Sequence, residues 1–378
     1  MKILFLIFHG FNPASGISKK IHDQVSALKN CGIDTRLCYL QEENGKKLRM
    51  IDSTIIADYS TGIMGKILKR VEYNSILKYV IKEKIDFVYM RSDLNANPFI
   101  IHLVKNMRKV GVSIAMEIPT YPYDQEEDTT SRKIQKLIDR IYRNKLAKYL
   151  NRIVTFSDFN TIFGVPTIRI SNGIDFSKIK LKKQVNNIVN ELHLIGVAEI
   201  HYWHGFDRLL KGLALYYQTK NNYRIFFHLV GDFFGKREQQ EIVPLIRKYE
   251  LQPYVTLHGP KHGKDLDALF EQGDFAIGSL ARHRTGIYNI KTLKNREYAA
   301  RGLGFIYSET DDDFDNMPYI LKVPADESPI DIPTLIHFCK NQSISPQEIR
   351  DSIQHLSWIK QMRKVYESMM FKPDKNKQ

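Results

Sequence analysis

Short apolar runs alternate with helical patterns along almost the whole chain. In the first half, the run KILFLIF (2–8) comes before a helical pattern over 16–30, and the run DTRLCYL (34–40) follows it. Three further helices are predicted over 62–83, 98–109 and 130–149, and they precede the predicted strands 86–90, 112–118 and 152–156. Because consecutive strands joined by a helix lie parallel in a right-handed crossover, this order predicts a mostly parallel sheet with helices on both faces.

The alternation starts again after the polar tract 180–190, which we interpret as an interdomain linker. Five strands are predicted over 191–198, 224–231, 254–259, 274–280 and 304–308, and four helices over 205–219, 235–249, 263–272 and 292–301. A last helical pattern, near 345–371, contains Trp358 and is long enough to cross back to the first half.

These patterns predict an α/β fold with two Rossmann-like parallel-sheet domains that face a central cleft. We expect the N-terminal domain over 1–178, the C-terminal domain over 190–345, and a C-terminal helix within 346–378 that returns to the first domain. In such sheets ligands bind outside the carboxyl ends of the strands, so the expected binding site is the cleft.

Composition narrows the class of protein. Of the 378 residues, 43% are hydrophobic and 26% are charged, which is typical of a folded chain. No apolar run reaches a membrane-spanning length, and the run 3–8 is too short for a signal peptide. Three cysteines without metal-ligand spacing suit a reducing cytoplasm. The net charge of +14 predicts an anionic partner: nucleic acid, an anionic membrane face or a phosphorylated substrate.

Two segments combine basic residues with apolar residues at helical spacing. Segment 131–152 carries eight basic residues and one acidic residue, Asp139. Its regularly spaced apolar residues are Ile134, Leu137, Ile138, Ile141 and Leu146. An ordinary surface helix explains this pattern, and so does a helix whose basic face rests on anionic lipid head groups. Segment 61–84, with six basic residues, allows the same two interpretations.

Several familiar sites are missing from the sequence. It contains no G-x-x-x-x-G-K-[ST] loop, no G-x-G-x-x-G after the first strand, no H-E-x-x-H zinc motif and no G-x-S-x-G elbow. His193, His201 and His204 follow no metal-ligand spacing, so we expect no metal site.

The predicted strand ends of the second half carry glycines and polar residues: Gly231–Asp232, Gly259 and Gly278–Ser279. Glycines there allow backbone amides to approach a ligand closely. Further on, Thr292 is placed to cap a helix that carries Lys294 and Glu297 on one face. A lysine near free helix amides suits a phosphate, and an ionised carboxylate suits two sugar hydroxyls. The groups fit the phosphates and ribose of a nucleotide, although a solvated Lys–Glu pair would give the same local pattern.

The second half contains, in order, LIGVA (194–198), HGFDRLLKGL (204–213), HLVGDFFGK (228–236), DFAIGSL (274–280) and NREYAARGLGFI (295–306), and the first half contains SGISKK (15–20) and SNGID (171–175). In this order, the segments resemble those of the GT-B glycosyltransferases, in particular the retaining family-four type (glycosyl transferases group 1) of bacterial surface-polysaccharide biosynthesis. The resemblance implies that Glu297 holds the ribose of the donor.

The sequence departs from the family pattern at the donor diphosphate. The family has an Arg and a Lys there, whereas this chain has Glu199 and His204, and Asn289 stands in place of the first acid of the family's Glu-x7-Glu signature. We therefore expect other cations to hold the diphosphate. The donor-binding candidates are Gly231, Asp232, Gly259, Ser279, Arg284, Lys291, Lys294, Arg296, Glu297, His204 and Arg208, of which Lys294 and Glu297 are the catalytic candidates. Loss of the donor site with retention of the fold is the alternative.

The resemblance further implies transfer of a sugar from a UDP- or GDP-sugar to an acceptor hydroxyl, with retention of configuration and without a metal, a cofactor or a protein nucleophile. Acceptor contacts are expected from His9, Asn12, Gly16, Glu117, Thr120, Tyr121, Tyr123 and Asp124. One carboxylate of the loop 117–128, which also holds Glu126, Glu127 and Asp128, could be a general base, or the loop is simply solvated. The two tyrosines could stack on sugar rings or pack in the core.

The expected destination is the cytoplasm, at the inner face of the plasma membrane, where the enzyme would extend a lipid-linked saccharide of a capsule, O-antigen or exopolysaccharide. A sugar-nucleotide epimerase of the same fold is the second candidate. A non-catalytic basic protein that binds nucleic acid or membrane would also explain the charge, but the chain carries no nucleic-acid recognition motif, so we expect no nucleic-acid partner.

Overall fold

The computed structural model describes residues 1–12, 16–124, 130–183, 190–221 and 223–370. Contacts divide the chain into two units. The first comprises residues 1–171 together with the chain from Trp358 onward, and the second comprises Asn172–Ser357. Each unit has its own sheet and its own apolar core. Within the described ranges, no helix combines the length and apolar character needed to cross a bilayer.

The first unit is built on a nine-stranded sheet. Its strands are β1 (Lys2–Leu6), β2 (Asp34–Glu43), β3 (Lys46–Ile51), β4 (Thr54–Asp58), β5 (Phe87–Arg91), β6 (Ser113–Ile118), β7 (Arg152–Thr155), β8 (Thr161–Ile162) and β9 (Val165–Arg169). The order across the sheet is β4-β3-β2-β1-β5-β6-β7-β9-β8, and antiparallel pairing is confined to the β2–β3, β3–β4 and β8–β9 pairs. The helices between these strands are α1 (Gly16–Asn30), α2 (Gly62–Val71), α3 (Asn74–Lys82), α4 (Pro98–Lys109) and α5 (Thr130–Ala147).

The second unit has six strands, all parallel. They are β10 (Glu191–Val197), β11 (Arg224–Val230), β12 (Val255–Gly259), β13 (Phe275–Ile277), β14 (Phe305–Tyr307) and β15 (Ile320–Lys322), in the order β12-β11-β10-β13-β14-β15. Its helices are α6 (Phe206–Tyr217), α7 (Lys236–Lys248), α8 (Gly263–Gln272), α9 (Leu293–Ala300), α10 (Ile332–Lys340) and α11 (Pro346–Ser352). The last helix, α12 (Trp358–Met370), belongs to the first unit and packs against α1.

The predicted alternation of strands and helices is confirmed, but the prediction missed the three hairpins β2–β3, β3–β4 and β8–β9. Asn44 and Gly45 both have positive φ and form the two-residue turn between β2 and β3. Phe163 and Gly164 do the same between β8 and β9. An Asn-Gly pair is a strong signal for such a turn, because both of its residues adopt the left-handed region readily. The prediction also missed β15 and α10.

Two long helical patterns, 62–83 and 345–371, are each broken in the structure. Glu72 is extended, and its carboxylate accepts hydrogen bonds from the backbone N–H groups of Asn74 (2.8 Å) and Ser75 (3.3 Å). The first pattern therefore ends at Val71 and restarts as α3, since Glu72 satisfies amides that begin the second helix. In the other pattern, residues 353–357 separate α11 from α12.

A buried ion cluster ties α1 to strands β5 and β6. Glu117 is fully buried, and its Oε1 forms ion pairs with Lys20, at 3.2 Å, and with Arg91. Its Oε2 accepts hydrogen bonds from the Tyr89 hydroxyl (2.5 Å) and from Gln24 Nε2 (2.7 Å). Burial alone would raise the pKa of Glu117, but the two cations and the two donors outweigh it and lower that pKa to about 2.

Glu117→Gln should destabilise the protein by about 3 kcal/mol at pH 7, because it leaves Lys20 and Arg91 buried without a counter-charge. The folded-state pKa lies below the unfolded value of 4.5, so the stability contributed by Glu117 is present above pH 4.5 and is lost as pH falls toward 2. Urea unfolding across pH 2–7 should therefore show the difference from wild type shrinking below pH 4.5. Glu83→Gln, at a partly exposed carboxylate 4.0 Å from Lys2, is the control and should change stability by less than about 0.5 kcal/mol.

The carboxyl end of β11 admits no side chain. Gly231 has φ +130°, and a Cβ there would lie 1.7 Å from the carbonyl oxygen of Ala198. Gly231→Ala should therefore cost about 3 kcal/mol or more of unfolding free energy, measured in urea. Gly259→Ala is the matched control: its φ is +64°, but nothing lies within 4 Å of the added Cβ, so we expect a loss of about 1 kcal/mol. Equal losses in the two variants would contradict this packing argument.

Candidate functional site

The predicted site residues that follow the strands of the second unit lie at one edge of its sheet. Beyond the strand ends, the backbone ladder continues: Gly231 N–H donates to the Gly259 carbonyl at 2.9 Å, and Gly278 N–H donates to the Ile306 carbonyl at 2.8 Å. Ser308 N–H likewise donates to the Ser279 carbonyl at 3.0 Å. The loops after β11 and β12 therefore leave the sheet side by side, as do the loops after β13 and β14.

His204 lies at the same edge, directly before Gly205, whose backbone is left-handed. It ends a short 3-10 turn, Tyr202–His204, and its carbonyl accepts a hydrogen bond from Leu280 N–H at 2.9 Å. The ring is buried, and its Nδ1 accepts the backbone N–H of His201 at 3.0 Å. Burial, together with the nearby charge of Lys294, holds the pKa of His204 well below its ordinary value. The imidazole is therefore neutral with its proton on Nε2, where it can donate one hydrogen bond.

Helix α9 presents an open amino end at this edge. Thr292 stands at the N-cap position, as predicted, but its side chain caps no amide, and its hydroxyl oxygen is buried without a hydrogen-bond partner. Two residues further on, in the first turn of the helix, the Lys294 ammonium is also buried and has no hydrogen-bond partner among the described residues. Burial lowers the pKa of Lys294, and the charge of Glu309 opposes that shift. Free amides, the helix dipole and an unpaired ammonium together suit an anion.

The other predicted cations already have partners. The Arg284 guanidinium binds Asp207 through two hydrogen bonds, of 2.9 and 3.0 Å, and it also binds Glu327. Arg296 is fully buried and pairs with Asp311 and Asp313.

Arg208 and Lys291 are committed in the same way. Arg208 is fully buried and donates to the carbonyls of Ser328 (2.7 Å) and Pro324 (3.1 Å) and to Asp326 (3.1 Å), so it fastens the loop before α10. Lys291 lies 3.2 Å from Asp312. Among the five predicted donor cations, Lys294 is the one whose charged atom has no hydrogen-bond partner within the described ranges.

Glu297 lies on the same helix, one turn after Lys294. It is half-buried, and its Oε1 accepts two hydrogen bonds from Arg301, of 3.1 and 2.9 Å. Arg301 also pairs with Asp267 at 2.7 Å, which fixes the carboxylate in place. Asp232 is exposed beside Gly231 at the end of β11.

Sequence reasoning missed two polar residues at this edge. Glu309 comes two residues after β14 and is 1% exposed, and neither of its carboxylate oxygens accepts a hydrogen bond from any other residue that the structure describes. Asn295 is fully buried beside Gly278, and its Oδ1 is also without a partner. The available signal for Glu309 was its position after a buried strand, the same signal that singled out Ser279.

In the first unit, the predicted acceptor residues follow β1 and β6. His9 is half-buried, and Asn12 and Gly16 are exposed around the start of α1. Thr120 is half-buried in the loop after β6, while Glu117 belongs to the buried ion cluster, which occupies both of its oxygens.

The remaining acceptor candidates make structural contacts in that loop. The Tyr123 hydroxyl donates to Asp139 at 2.7 Å, and Asp124 pairs with Arg140 and Arg143 at 2.9 and 3.0 Å. Tyr121 packs edge-on against Phe159 and Phe163. Glu126, Glu127 and Asp128 lie outside the described residues.

Helices α2 and α5 expose apolar side chains next to basic ones. The regular spacing over 131–152 is confirmed as helix α5, but Leu146 alone of its five apolar residues is buried. The outward apolar side chains of α5 are between 42% and 60% exposed: Ile134, Leu137, Ile138 and Ile141. Those of α2 are between 49% and 77% exposed: Ile63, Met64 and Ile67. We call these seven residues the apolar patch; α4 packs against both helices, so the patch lies on one layer of the first unit.

No metal-binding cluster of three or more His, Cys, Asp or Glu side chains occurs in the described ranges. A cavity of about 810 Å³ lies away from all the predicted site residues. It is at the amino ends of the strands of the first unit, lined among others by Met1, Phe87 and Met370.

No protein family description matches the chain, and no curated protein sequence matches it. Solved structures do match along its whole length. Sucrose-phosphate synthase from Thermosynechococcus elongatus aligns with 97% of this chain and 98% of its own, with a TM-score of 0.65 and 14% identity. HepE from Anabaena, in complex with UDP, aligns with 98% of this chain and 99% of its own, with a TM-score of 0.63 and 14% identity.

A UDP-GlcNAc 2-epimerase from Methanocaldococcus jannaschii also aligns with 98% of this chain and with all of its own length, at a TM-score of 0.52 and 10% identity. Identities this low establish the fold and leave the activity open. The fold is the α/β GT-B fold predicted from the sequence, with two parallel-sheet domains and a C-terminal helix that returns to the first.

Proposed function

We propose that this protein is a glycosyltransferase that moves a sugar from a nucleotide diphosphate sugar to a hydroxyl of a saccharide acceptor, with retention of configuration. The observation that carries the proposal is the unpaired Lys294 ammonium, buried at the open amino end of α9. A buried ammonium without a partner is costly, and an anionic ligand would satisfy it together with the free amides of the helix. The diphosphate of a sugar nucleotide is such an anion.

In this reaction the diphosphate leaves, and negative charge grows on its oxygens. Lys294, the first amides of α9 and the neutral His204 ring would stabilise that charge without moving, because the surrounding backbone already fixes them. The acceptor's proton would pass to the leaving phosphate on the same face of the sugar, so no protein nucleophile and no metal is invoked. Catalysis would then consist of charge stabilisation and positioning.

Glu297 is the proposed ribose ligand. Its Oε1 is held by Arg301, so the carboxylate has a fixed direction, and Oε2 is left to accept the ribose hydroxyls. The solved structures of HepE with UDP and with UDP-glucose support a donor of this class for the fold, and we propose a UDP- or GDP-sugar here.

The apolar patch supports a membrane location. On α5, the basic residues Lys133 and Arg140 flank it, and α2 adds Lys66 and Arg70. Exposed apolar side chains ringed by cations fit the interface of an anionic bilayer. We therefore propose that the enzyme lies peripherally on the inner face of the plasma membrane. There it would extend a lipid-linked acceptor of a capsule, O-antigen or exopolysaccharide, with acceptor contacts from His9, Asn12 and Gly16.

A sugar-nucleotide epimerase of the same fold remains the second candidate function. The epimerase from Methanocaldococcus jannaschii shows that this fold also serves such an enzyme. An epimerase acts on the sugar nucleotide alone and has no use for an acceptor or a membrane-facing patch, so the apolar patch favours the transferase.

Thermal unfolding with UDP, GDP and their sugar conjugates tests the donor site. A ligand at about 100 times its Kd adds about 2.7 kcal/mol of stability, so a true donor nucleotide should raise the wild-type Tm clearly. Lys294→Met should abolish that gain, because it removes the charge that faces the diphosphate while keeping the side-chain volume. Glu297→Ala should reduce it.

Lys248→Met is the matched control, since Lys248 lies in the last turn of α7, away from the carboxyl edge of the sheet, and should respond like wild type. If no nucleotide stabilises wild type, the donor proposal is wrong, and the chain has kept the fold without the site. Salt-sensitive binding to duplex DNA in that case would support a nucleic-acid-binding protein.

Flotation with vesicles that contain phosphatidylglycerol tests the membrane location. The double variant Leu137→Ser, Ile141→Ser should bind such vesicles about 10-fold more weakly than wild type, because two side chains no longer enter the interface. High salt should weaken binding further. Leu215→Ser, at an exposed apolar residue of α6 in the second unit, should leave binding unchanged. Equal binding by the double variant and wild type would refute the role of the patch.

A further inference from the structure

We propose that Glu309 recognises the transferred sugar of the donor, by accepting hydrogen bonds from its hydroxyl groups while Lys294 holds the diphosphate. This inference rests on the proposed function and adds a residue that sequence reasoning did not identify. It rests on the burial of the Glu309 carboxylate without donors from the other described residues, and on the hydrogen bonds that hold the neighbouring backbone in place.

The Glu309 carboxylate is buried but unsatisfied. The residue is 1% exposed, and no other residue in the described part of the chain donates a hydrogen bond to either carboxylate oxygen. Two other buried carboxylates in this unit are paired: Asp207 binds Arg284, and Asp311 accepts two hydrogen bonds from Arg296.

Burial raises the pKa of Glu309, while a hydrogen bond from its own backbone and the charges of Lys294 and Arg282 oppose that shift. A buried carboxylate without donors from other side chains is costly, and the hydroxyl groups of a ligand would stabilise it.

The backbone around Glu309 is fixed from three sides. Ser308, before it, donates to the Ser279 carbonyl at 3.0 Å. Thr310, after it, donates to the Tyr288 carbonyl at 2.6 Å and accepts from Ile290 N–H at 3.0 Å. The carbonyl of Glu309 itself accepts a hydrogen bond from the Lys322 ammonium. The side chain is therefore held at the carboxyl edge of the sheet by its neighbours and cannot swing out to water at little cost.

Lys294 is close enough to influence Glu309 but does not satisfy it. The two charges interact, yet the ammonium and the carboxylate form neither a hydrogen bond nor an ion pair within 4.0 Å. A ligand that satisfies both groups must present an anion to Lys294 and hydroxyl donors to Glu309. A nucleotide diphosphate sugar has this arrangement, because its phosphate is bonded directly to a hydroxylated ring.

A free nucleoside diphosphate satisfies only half of the pair. It would bring negative charge to Lys294 and leave Glu309 without donors, next to an added anion. Glu309 should therefore favour the sugar nucleotide over the free nucleotide. This preference distinguishes sugar recognition from a merely structural role, which would affect both ligands alike.

Titration calorimetry of the full chain with UDP, GDP, UDP-glucose, UDP-N-acetylglucosamine and GDP-mannose tests the inference. Glu309→Gln keeps the shape of the side chain and removes its charge. We expect the variant to bind the free nucleotide as well as wild type or better, and to lose about 10-fold in affinity for the sugar conjugate that wild type prefers. Glu309→Asp keeps the charge but withdraws the oxygens, and should lose affinity for the same conjugate. Glu348→Gln, at a surface capping residue of the same unit, should match wild type for both ligands.

Equal loss for free nucleotide and conjugate in Glu309→Gln would overturn the inference and assign Glu309 a structural role. Unchanged affinity for both ligands would overturn it as well. If wild type binds the free nucleotide, and neither Glu309 variant changes the preference between free nucleotide and sugar conjugate, the donor site stands and the proposed role of Glu309 is wrong. If wild type binds neither class of ligand, the proposed function itself fails, and this inference with it.

Discussion

The parallel register of the second sheet is the constraint on which the candidate site depends. Because every strand of β10–β15 runs in the same direction, each contributes its carboxyl end to one edge, and backbone hydrogen bonds beyond the strand ends keep the loops together. Ser279, Lys294 and Glu309 are separated in sequence, yet this single geometric condition brings them to the same edge. Gly231 is part of the condition, since any side chain there would collide with the Ala198 carbonyl.

The distribution of charge at that edge decides which cation is available to a ligand. Arg208 and Arg296 are fully buried and Arg284 is mostly buried, and carboxylates or carbonyls of the fold replace the water around them. A phosphate would have to compete with those partners, and the gain would be small. Lys294 has lost water without gaining a hydrogen bond from the described residues, so an anion there displaces no hydrogen-bonded partner. The neutralised arginines still matter, because Arg296 anchors the start of α9 through Asp311 and so holds Lys294 in position.

Much of the fold follows from the sequence, because buried parallel strands and amphipathic helices leave regular patterns. The Asn44–Gly45 turn was also readable, whereas Phe163 adopts a positive φ that no sequence rule predicts. The edge residues could be found because they follow apolar strands. Which of their charges are available to a ligand could not be predicted, because a pair such as Arg284 and Asp207 joins residues far apart in the chain and depends on tertiary packing. For the same reason, the burial of Glu309 was not visible in the sequence.

Helix α5 shows how tertiary contacts can reverse an amphipathic pattern. Asp139 is buried because it accepts hydrogen bonds from the Tyr123 hydroxyl and from the backbone N–H of Ala96, and the inward face of the helix is therefore partly polar. The side chains of α5 that belong to the apolar patch are therefore exposed, as those of α2 are. An apolar surface of this kind lowers solubility unless something covers it, and the cations along both helices suit the anionic lipid surface that we propose as its partner. An enzyme confined to soluble sugar nucleotides would gain nothing from that arrangement, whereas one that modifies a lipid-linked acceptor must come to the bilayer.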